Sequence, residues 1–281
     1  MNTKSISVKI ITTVLFILQQ TYFCYADCDN LDSQENSIIT NIIPACVFGV
    51  ESVSYFLYTR NKPYGEEVRM NDEYIPIHIN KKVAFLIHGF ISEANNSNYF
   101  DFTVKLVQEY GVKVNEIVVV GHSLGAHVAG FSGKSVQDVF KQKYKQIIGL
   151  DPAGPKFANK DCANRLCKSD AAFVQIFHTS YLAGIHDAIG VDDFYFNGGN
   201  SQPGCIFTVC SHSRAVMYLT MTFLYSPCFI GTFWEVGYES ILNWKECNPT
   251  VCSHPGLDTP EEIATGTFYV MTKYTEPYCT L

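Results

Sequence analysis

Short apolar runs, rich in β-branched and aromatic residues, recur along the chain at intervals that suit separate strands. Most of these runs are apolar throughout and do not alternate with polar residues, a pattern typical of strands buried on both faces of a parallel sheet. The pattern predicts strands over Ser54–Thr59, Ile75–Ile79, Val83–His88, Ile117–Val120, Ile147–Leu150 and Val174–Phe177.

Apolar residues at helical spacing lie between and after these runs. They predict helices over Phe102–Tyr110, Ala126–Gly133, Val136–Gln142 and Arg214–Leu224. Strands that alternate with helices indicate an α/β fold. No internal repeat and no Pro/Gly/Ser-rich linker divides residues 27–281, so we expect a single domain there.

An apolar run near the N-terminus has a different character. Lys4 and Lys9 precede the run Ile10–Leu18, and Ala26 stands where cleavage would fall. The run is too short to span a bilayer, so residues 1–26 have the pattern of a secretory signal peptide, with an unusual membrane anchor as the alternative. We therefore expect a secreted, extracellular protein.

The cysteine content agrees with secretion. Of 11 cysteines, Cys24 would leave with the signal peptide, and the others form an even number, as disulfides require. Their spacings do not pair two C-x-x-C units, so a zinc site is not expected. Three pairing patterns stay open for the last four, which are Cys228, Cys247, Cys252 and Cys279.

The charge balance excludes one class of partner. Lys and Arg number 20 and Asp and Glu number 27, which gives a formal net charge of −7, and no Lys/Arg-rich stripe is present. An acidic chain of this kind is a poor match for nucleic acid. A content of 47% hydrophobic and 17% charged residues is that of a folded globular protein.

A candidate nucleophile lies between a predicted strand and a predicted helix. Ile117–Val120 runs directly into Gly121-His122-Ser123-Leu124-Gly125. In this setting G-x-S-x-G is a nucleophile elbow, a sharp turn that raises the serine hydroxyl off the end of a sheet. The flanking glycines are needed because side chains there would collide with the strand and helix. An ordinary helix start is the alternative, which the strand–turn–helix setting disfavours.

A serine nucleophile needs a base, and the base needs an orienting acid. Asp151 follows the strand Ile147–Leu150 at its carboxyl end, the edge where open α/β sheets form their sites. A turn or helix-capping aspartate is the alternative interpretation. In elbow hydrolases the base follows the acid along the chain, which leaves His178, His186, His212 and His254.

Among these histidines, His212 lies just past Cys210, in a loop that Cys205 could pin, and just before the predicted Arg214 helix. A base must be held rigidly within reach of the serine. On the residues alone, His212 is as good a candidate for the base as the other three histidines taken together. His122 and His127 flank the elbow and are expected to make structural contacts.

The oxyanion of an acyl-transfer intermediate needs backbone donors. One is expected from the N–H of Leu124, the residue after the nucleophile. The other is expected from Phe90, in the turn His88-Gly89-Phe90 that ends a neighbouring strand.

Five motifs of this chain form a set. They are His88-Gly89-Phe90, Gly121–His127, Leu150–Pro155, Val174–Thr179 and Cys210–Ala215. The same five motifs occur together in the pancreatic lipase family, and the chain resembles that family from about Cys46 to its C-terminus. Within the family it is most similar to the insect secreted phospholipases A1, including the wasp-venom enzymes.

The resemblance implies an α/β-hydrolase fold, a mostly parallel sheet flanked by helices. It also implies the role of each site residue. Ser123 would be the nucleophile, Asp151 the orienting acid and His212 the base, with Phe90 and Leu124 forming the oxyanion hole.

The resemblance also bears on the substrate. Cys205 and Cys210 enclose four residues where the triacylglycerol lipases of the family carry a long lid, and the loop Thr179–Val191 is short as well. Family members with both loops short are similar to phospholipases A1. The resemblance therefore implies cleavage of the sn-1 acyl ester through an acyl-enzyme. It implies a monomer that acts on phospholipid or glyceride at a membrane or micelle surface. Triacylglycerol or galactolipid hydrolysis and a non-catalytic lipid-binding role are the alternatives.

The same comparison implies no cofactor and no metal. Of the positions that match the calcium site of vertebrate relatives, Arg165 and Asp170 remain, while Cys162 and Cys167 replace two others. A disulfide is expected in place of the ion. We expect no β-sandwich domain after Leu281, so the resemblance implies no colipase docking.

One stretch is shorter than the resemblance requires. Phe90 and Gly121 are separated by 30 residues, whereas the family fits a further strand–helix unit of roughly fifty residues here, well beyond ordinary loop variation. The strand ending at His88 should then have an exposed edge or lie in a reordered sheet. We expect such a chain to fold poorly and to be catalytically impaired. An exon-skipped transcript or incomplete gene model would produce this gap, and a true short enzyme is the alternative.

Overall fold

The computed structural model describes residues 13–19, 54–59, 62–68, 82–87, 112–225, 227–234, 252–257 and 264–280. The strands in these ranges are β1 Thr13–Gln19, β2 Ser54–Thr59, β3 Lys62–Val68, β4 Lys82–Ile87, β5 Val118–His122, β6 Tyr144–Leu150, β7 Ala171–His178, β8 Asp192–Phe196, β9 Gly231–Phe233, β10 Cys252–Ser253 and β11 Gly266–Val270. The α-helices in these ranges are α1 Leu124–Phe140 and α2 Thr208–Leu224.

The described strands form one sheet in the order β10-β9-β11-β8-β7-β6-β5-β4-β1-β2-β3. All pairs from β1 through β4, β5, β6, β7 and β8 to β11 are parallel, and the pairs at the two ends are antiparallel. This mostly parallel sheet confirms the expected α/β-hydrolase class.

The core lies on both faces of the sheet. Val119 and Ile147 pack with Ala126 and Ala129 of α1 on one face, whereas neighbouring positions of the same strands point to the other face, towards α2. That second cluster contains Val118, Val120, Ile148, Leu150, Phe177, Phe194, Tyr218 and Leu219. Burying each such side chain contributes about 1.5–3 kcal/mol, which is why the strands are apolar throughout.

Two helix boundaries differ from the sequence prediction. The segments predicted as separate helices around Gly133 form the single helix α1. A side chain at Gly133 would lie 2.3 Å from the Asp170 carbonyl oxygen, so glycine here permits close packing and does not end the helix. At α2, the helix begins at Thr208, so His212 lies within the helix and not in a loop before it.

Other predictions fall differently. The predicted strand Ser54–Thr59 is confirmed with the same bounds as β2. The predicted strand Ile75–Ile79 and the predicted helix Phe102–Tyr110 lie outside the described residues. No helix in the part of the chain that the structure describes has the length and apolar character needed to span a membrane.

Strand β1 lies within the stretch that has the pattern of a signal peptide. It sits between β4 and β2, parallel to β4 with Thr13 opposite Lys82 and Ile17 opposite Leu86. β1 thus lies on the side of β4 away from β5, and it covers the exposed edge that we expected for the strand ending at His88. The N-terminal apolar run therefore supplies the ladder partner that β4 would otherwise lack.

Candidate active site

The turn at Ser123 has the geometry of a strained elbow. β5 ends at His122, Ser123 has φ 58° and ψ −122°, and α1 begins at Leu124. A non-glycine residue at positive φ costs about 1–3 kcal/mol and persists only where its surroundings hold it. Here the Ser123 N–H donates to the Leu150 carbonyl at 3.0 Å. This hydrogen bond holds Ser123 against the end of β6.

Glycine is required at the base of this turn. A Cβ at Gly121 would lie 2.3 Å from the Gly125 carbonyl oxygen and 2.6 Å from the Ala126 Cα. The predicted collision between strand and helix is therefore present at Gly121. The Ala153 N–H also donates to the Ser123 carbonyl at 3.2 Å, which ties the elbow to the segment after Asp151.

Asp151 lies at the carboxyl end of β6 and is fully buried. Its Oδ1 accepts hydrogen bonds from the N–H groups of Thr179, at 2.8 Å, and Ser180, at 3.0 Å. Its Oδ2 accepts from the Ser180 hydroxyl and contacts His212 Nδ1. Burying a carboxylate is costly unless its oxygens are hydrogen-bonded, and this set of donors meets that requirement.

His212 Nδ1 lies 2.6 Å from Asp151 Oδ2. Because a carboxylate oxygen accepts, Nδ1 carries the proton of the neutral ring, and Nε2 is left as the basic nitrogen. The His122 ring packs against His212 with ring centroids 4.5 Å apart, and His122 Nε2 lies 3.1 Å from the His212 carbonyl oxygen. The imidazole is thus fixed by a carboxylate and a neighbouring ring.

The other three candidate histidines lie elsewhere. His178 is buried, with Nδ1 2.8 Å from the Ile185 carbonyl oxygen and Nε2 2.9 Å from Asp193 Oδ1, so both ring nitrogens have structural partners. His186 is exposed. His254 Nδ1 lies 2.9 Å from the Phe229 carbonyl oxygen. Of the four, the structure brings His212 to Asp151.

His127, the second histidine of the elbow, makes the structural contacts that we expected. The Leu166 N–H donates to Nδ1 at 3.2 Å, so Nε2 carries the proton and donates to the Ala153 carbonyl at 2.9 Å. Burial lowers the pKa of His127 to about 4; the hydrogen bond to Ala153 opposes this, while Arg165 and Lys134 add to it. His127 is therefore a neutral structural residue beneath the elbow.

Sequence reasoning missed two residues that support Asp151 and the segment around His212. Ser180 donates to Asp151 through both its N–H and its hydroxyl. The Gln202 side chain donates to the Thr179 carbonyl at 2.9 Å, and its N–H donates to the Ser211 hydroxyl at 3.0 Å. Ser180 follows the end of β7 beside β6, so the rule that sites form at the carboxyl edge of a parallel sheet could have found it. The pattern around Gln202 gives no such signal.

The two expected oxyanion donors have different status. Leu124 is the first residue of α1, and N–H groups in the first turn of a helix have no acceptor within the helix. Phe90 lies outside the described residues.

Both expected short-range disulfides are present. Cys205 and Cys210 are bonded around a four-residue turn in which α2 begins. Cys162 and Cys167 are bonded as well, and Lys134 Nζ lies 2.6 Å from Asp170 Oδ2. The structure also bonds Cys228 to Cys279, which selects among the three pairing patterns that the sequence left open for the last four cysteines. Among the described residues, no group of three or more His, Cys, Asp or Glu side chains could hold a metal ion.

Comparison with known proteins gives one family match and several relatives. A family model described as Lipase matches residues 100–228. The chain is 35% identical over 312 residues to "Phospholipase A1 1" of Polistes dominula, covering 91% of this chain and 93% of that protein. It is 36% identical over 297 residues to "Phospholipase A1" of Polybia paulista, covering 85% of this chain and 92% of that protein. It is 43% identical over 203 residues to "Phospholipase A1" of Vespa crabro, covering 70% of this chain and 66% of that protein.

These alignments also measure a gap. The share of this chain aligned with the Polistes dominula protein, 91% of 281 residues, is about 256 residues, against 312 aligned positions. About 56 positions therefore have no counterpart in this chain. The Vespa crabro alignment covers 70% of the 281 residues, about 197 residues, over 203 positions. About 6 of its positions therefore have no counterpart in this chain. A shortfall near 56 residues matches the size of the unit that we expected to be missing.

Proposed function

The chain belongs to the lipase family of carboxylic ester hydrolases, and on that premise we propose that it hydrolyses the sn-1 acyl ester of phospholipids by way of an acyl-enzyme. The contact that carries the proposal is the 2.6 Å approach of His212 Nδ1 to the buried Asp151 carboxylate, next to the G-x-S-x-G elbow. A hydrogen-bonded acid–base pair beside a strained serine is the arrangement that nucleophilic ester hydrolysis requires.

The proposed reaction has two halves. Ser123 Oγ attacks the ester carbonyl carbon while His212 Nε2 takes the hydroxyl proton, and the N–H groups of Leu124 and Phe90 stabilise the oxyanion. The tetrahedral intermediate collapses, and His212 returns the proton to the leaving lysophospholipid oxygen. Water then attacks the acyl-enzyme with His212 as base, which releases the fatty acid and restores Ser123. Asp151 holds the His212 tautomer and stabilises the imidazolium.

Two observations favour phospholipid over neutral glyceride. The relatives that match most of the chain carry the name phospholipase A1. The turn between Cys205 and Cys210 holds four residues, too few to form a lid that closes over a site. Triacylglycerol and galactolipid hydrolysis would use the same chemistry and are therefore alternatives to be tested.

The test is fatty-acid release from phosphatidylcholine with different labels on the sn-1 and sn-2 chains, with triolein in parallel and Ser123→Ala as the control. We expect release of the sn-1 label, little release from triolein and none from the variant. Faster triolein turnover would assign the chain to the neutral lipases. No release from either lipid by the folded wild type would support the non-catalytic role.

We further propose a secreted, extracellular monomer that acts without cofactor or colipase, with residues 1–26 as its leader. This assignment and the position of β1 in the sheet exclude each other in one molecule, because cleavage after Ala26 removes β1. N-terminal sequencing of the secreted chain decides between them. A chain that begins at Asp27 supports the leader, and one that retains residues 13–19 supports the strand.

A further inference from the structure

One segment beside the site is nearly free of charge. Residues 197–234 contain a single Asp, Glu, Lys or Arg, namely Arg214, whereas the 17% share of charged residues in the chain would give about six in 38 residues. Arg214 itself is directed inwards, with its guanidinium 4.5 Å from the centre of the Tyr278 ring and 3.3 Å from the Pro203 carbonyl oxygen. The outer surface of this segment is therefore neutral.

The same segment exposes an unusual number of large apolar side chains. Two lie in the turn between Cys205 and Cys210, where Ile206 is 90% and Phe207 74% exposed. Five more lie on α2, namely Val209, Val216, Met217, Phe223 and Leu224. We name these seven residues the α2 stripe.

The helical residues of the α2 stripe share one face of α2. From Val209, the other members lie 7, 8, 14 and 15 residues along the helix, close to two and four turns of 3.6 residues. The opposite face of α2 is buried and contains Ala215, Tyr218 and Leu219. A helix with one apolar face in the core needs no second one for folding, so the outer apolar face calls for a different explanation.

The α2 stripe begins at the catalytic edge of the molecule. His212 lies between Val209 and Val216 on α2, at the border of the apolar face. Tyr181 and Leu182 are 59% and 65% exposed and directly follow Ser180, which binds the Asp151 carboxylate. Exposed apolar residues thus lie within about one helical turn of His212 and directly after Ser180.

We propose that the α2 stripe is the surface by which the protein docks on a bilayer of zwitterionic phospholipid, so that the ester bonds of the bilayer meet Ser123. The proposal rests on the phospholipase function above, which supplies the occupant. The charge distribution selects the lipid. A neutral apolar face gains from insertion among headgroups without net charge, while the net charge of −7 on the chain is repelled by an anionic surface.

The test separates docking from chemistry by using the inactive variant Ser123→Ala. We expect it to co-sediment with vesicles of phosphatidylcholine and less with vesicles that contain phosphatidylserine. Adding Phe223→Gln with Leu224→Gln should weaken binding to phosphatidylcholine about tenfold or more, since bound apolar area sets this affinity. Val139→Gln is the matched control, because Val139 is 52% exposed on α1, outside the stripe.

The same pair of glutamines in the active chain tests the consequence. Phe223 lies about 16 Å along α2 from His212, so hydrolysis of a water-soluble short-chain ester should be unchanged while vesicle hydrolysis falls with binding. Equal binding by the stripe and Val139 variants would overturn the proposal. So would a dimer that the glutamines dissociate without loss of vesicle binding. Binding by a chain that hydrolyses no ester would uphold docking and refute only the enzymatic proposal.

Discussion

At the scale of single residues, the proposed triad of Ser123, Asp151 and His212 predicts a steep loss of activity on substitution. Ser123→Ala and His212→Ala should each reduce the kcat of ester hydrolysis by three or more orders of magnitude and leave the fold intact, because the members of a triad act as one unit. The control is His178→Ala, which removes contacts to Ile185 and Asp193 and should cost stability. Folded His178→Ala protein should retain turnover. Loss of turnover in that variant alone would make the base assignment wrong.

Ser180 predicts a milder effect. Ser180→Ala removes one hydroxyl donor from Asp151 and leaves the two backbone N–H donors in place. The carboxylate should then hold His212 less firmly, so kcat should fall about tenfold with KM unchanged, and Ser180→Thr should restore it. An unchanged kcat, or a change in KM alone, would show that Ser180 does not position the acid. Steady-state kinetics on a soluble ester measures both constants.

His127 predicts a pH dependence of stability. Unfolded His127 binds a proton below its ordinary pKa of 6.5, whereas the folded residue does so only near pH 4. The free energy of unfolding should therefore be at its full value above pH 6.5 and fall as the pH drops towards 4, by up to about 3 kcal/mol. Asp192 acts in the opposite sense, because burial raises its pKa to about 6.

A neutral variant isolates the His127 contribution. His127→Gln keeps a donor and an acceptor but takes up no proton, so its destabilisation should shrink by about 2 kcal/mol between pH 7 and pH 5. Urea unfolding of both proteins at the two pH values gives this difference, and Asp192 cancels from it. A destabilisation that stays constant with pH would contradict the assignment.

At the scale of elements, the Cys205–Cys210 turn predicts how lipid affects the rate. A lid that opens on lipid raises the turnover of every substrate, whereas a docked site without a lid gains only on substrates in the bilayer. Hydrolysis of a soluble ester should therefore not increase when non-hydrolysable lipid vesicles are added. A severalfold rise would show a closing element.

Activity should also survive EDTA. The Cys162–Cys167 disulfide and the Asp170 carboxylate, which is paired with Lys134, occupy positions that match the calcium site of vertebrate relatives, so a chelator has no ion to remove there. Loss of soluble-ester hydrolysis in EDTA would contradict this prediction.

The elements also show what a sequence can predict. Apolar strands such as β6 are visible in the sequence because burial on both faces makes successive positions of the strand apolar, whichever elements cover it. β8 was missed because it begins with Asp192 and Asp193, which are unusual in a buried strand. Asp193 is satisfied by His178 and by the N–H groups of Ile189 and Gly190, contacts that exist only after folding.

The residues of the candidate site also differ in how far the sequence alone predicts them. Ser123 and Asp151 follow from local patterns, a strained turn and a strand end. His212 needed the resemblance to a known family, because on the residues alone four histidines competed. The supporting role of Gln202 depends on the packing of β7 against α2 and could not be predicted.

At the scale of the whole molecule, the fate of residues 13–19 decides whether the sheet is continuous. The chain has no counterpart for about 56 positions of the Polistes dominula protein, and β1 fills the place beside β4 that a missing strand would leave. β1 joins β4 to β2, so its removal with a leader would leave unpaired backbone groups on the facing edges of both strands. Exposed edges of this kind favour aggregation.

We therefore expect the chain that starts at Asp27 to fold poorly and to have weak esterase activity, because two parts of its sheet lack a common partner. Insertion of the corresponding segment of the Polistes dominula protein between Phe90 and Gly121 should restore a monomer with cooperative unfolding, since it would supply a strand that survives secretion. Size-exclusion chromatography, urea unfolding and soluble-ester kinetics compare the two chains. A secreted monomer of residues 27–281 with cooperative unfolding and full activity would refute this expectation. A full-length cDNA that encodes the missing strand would support it.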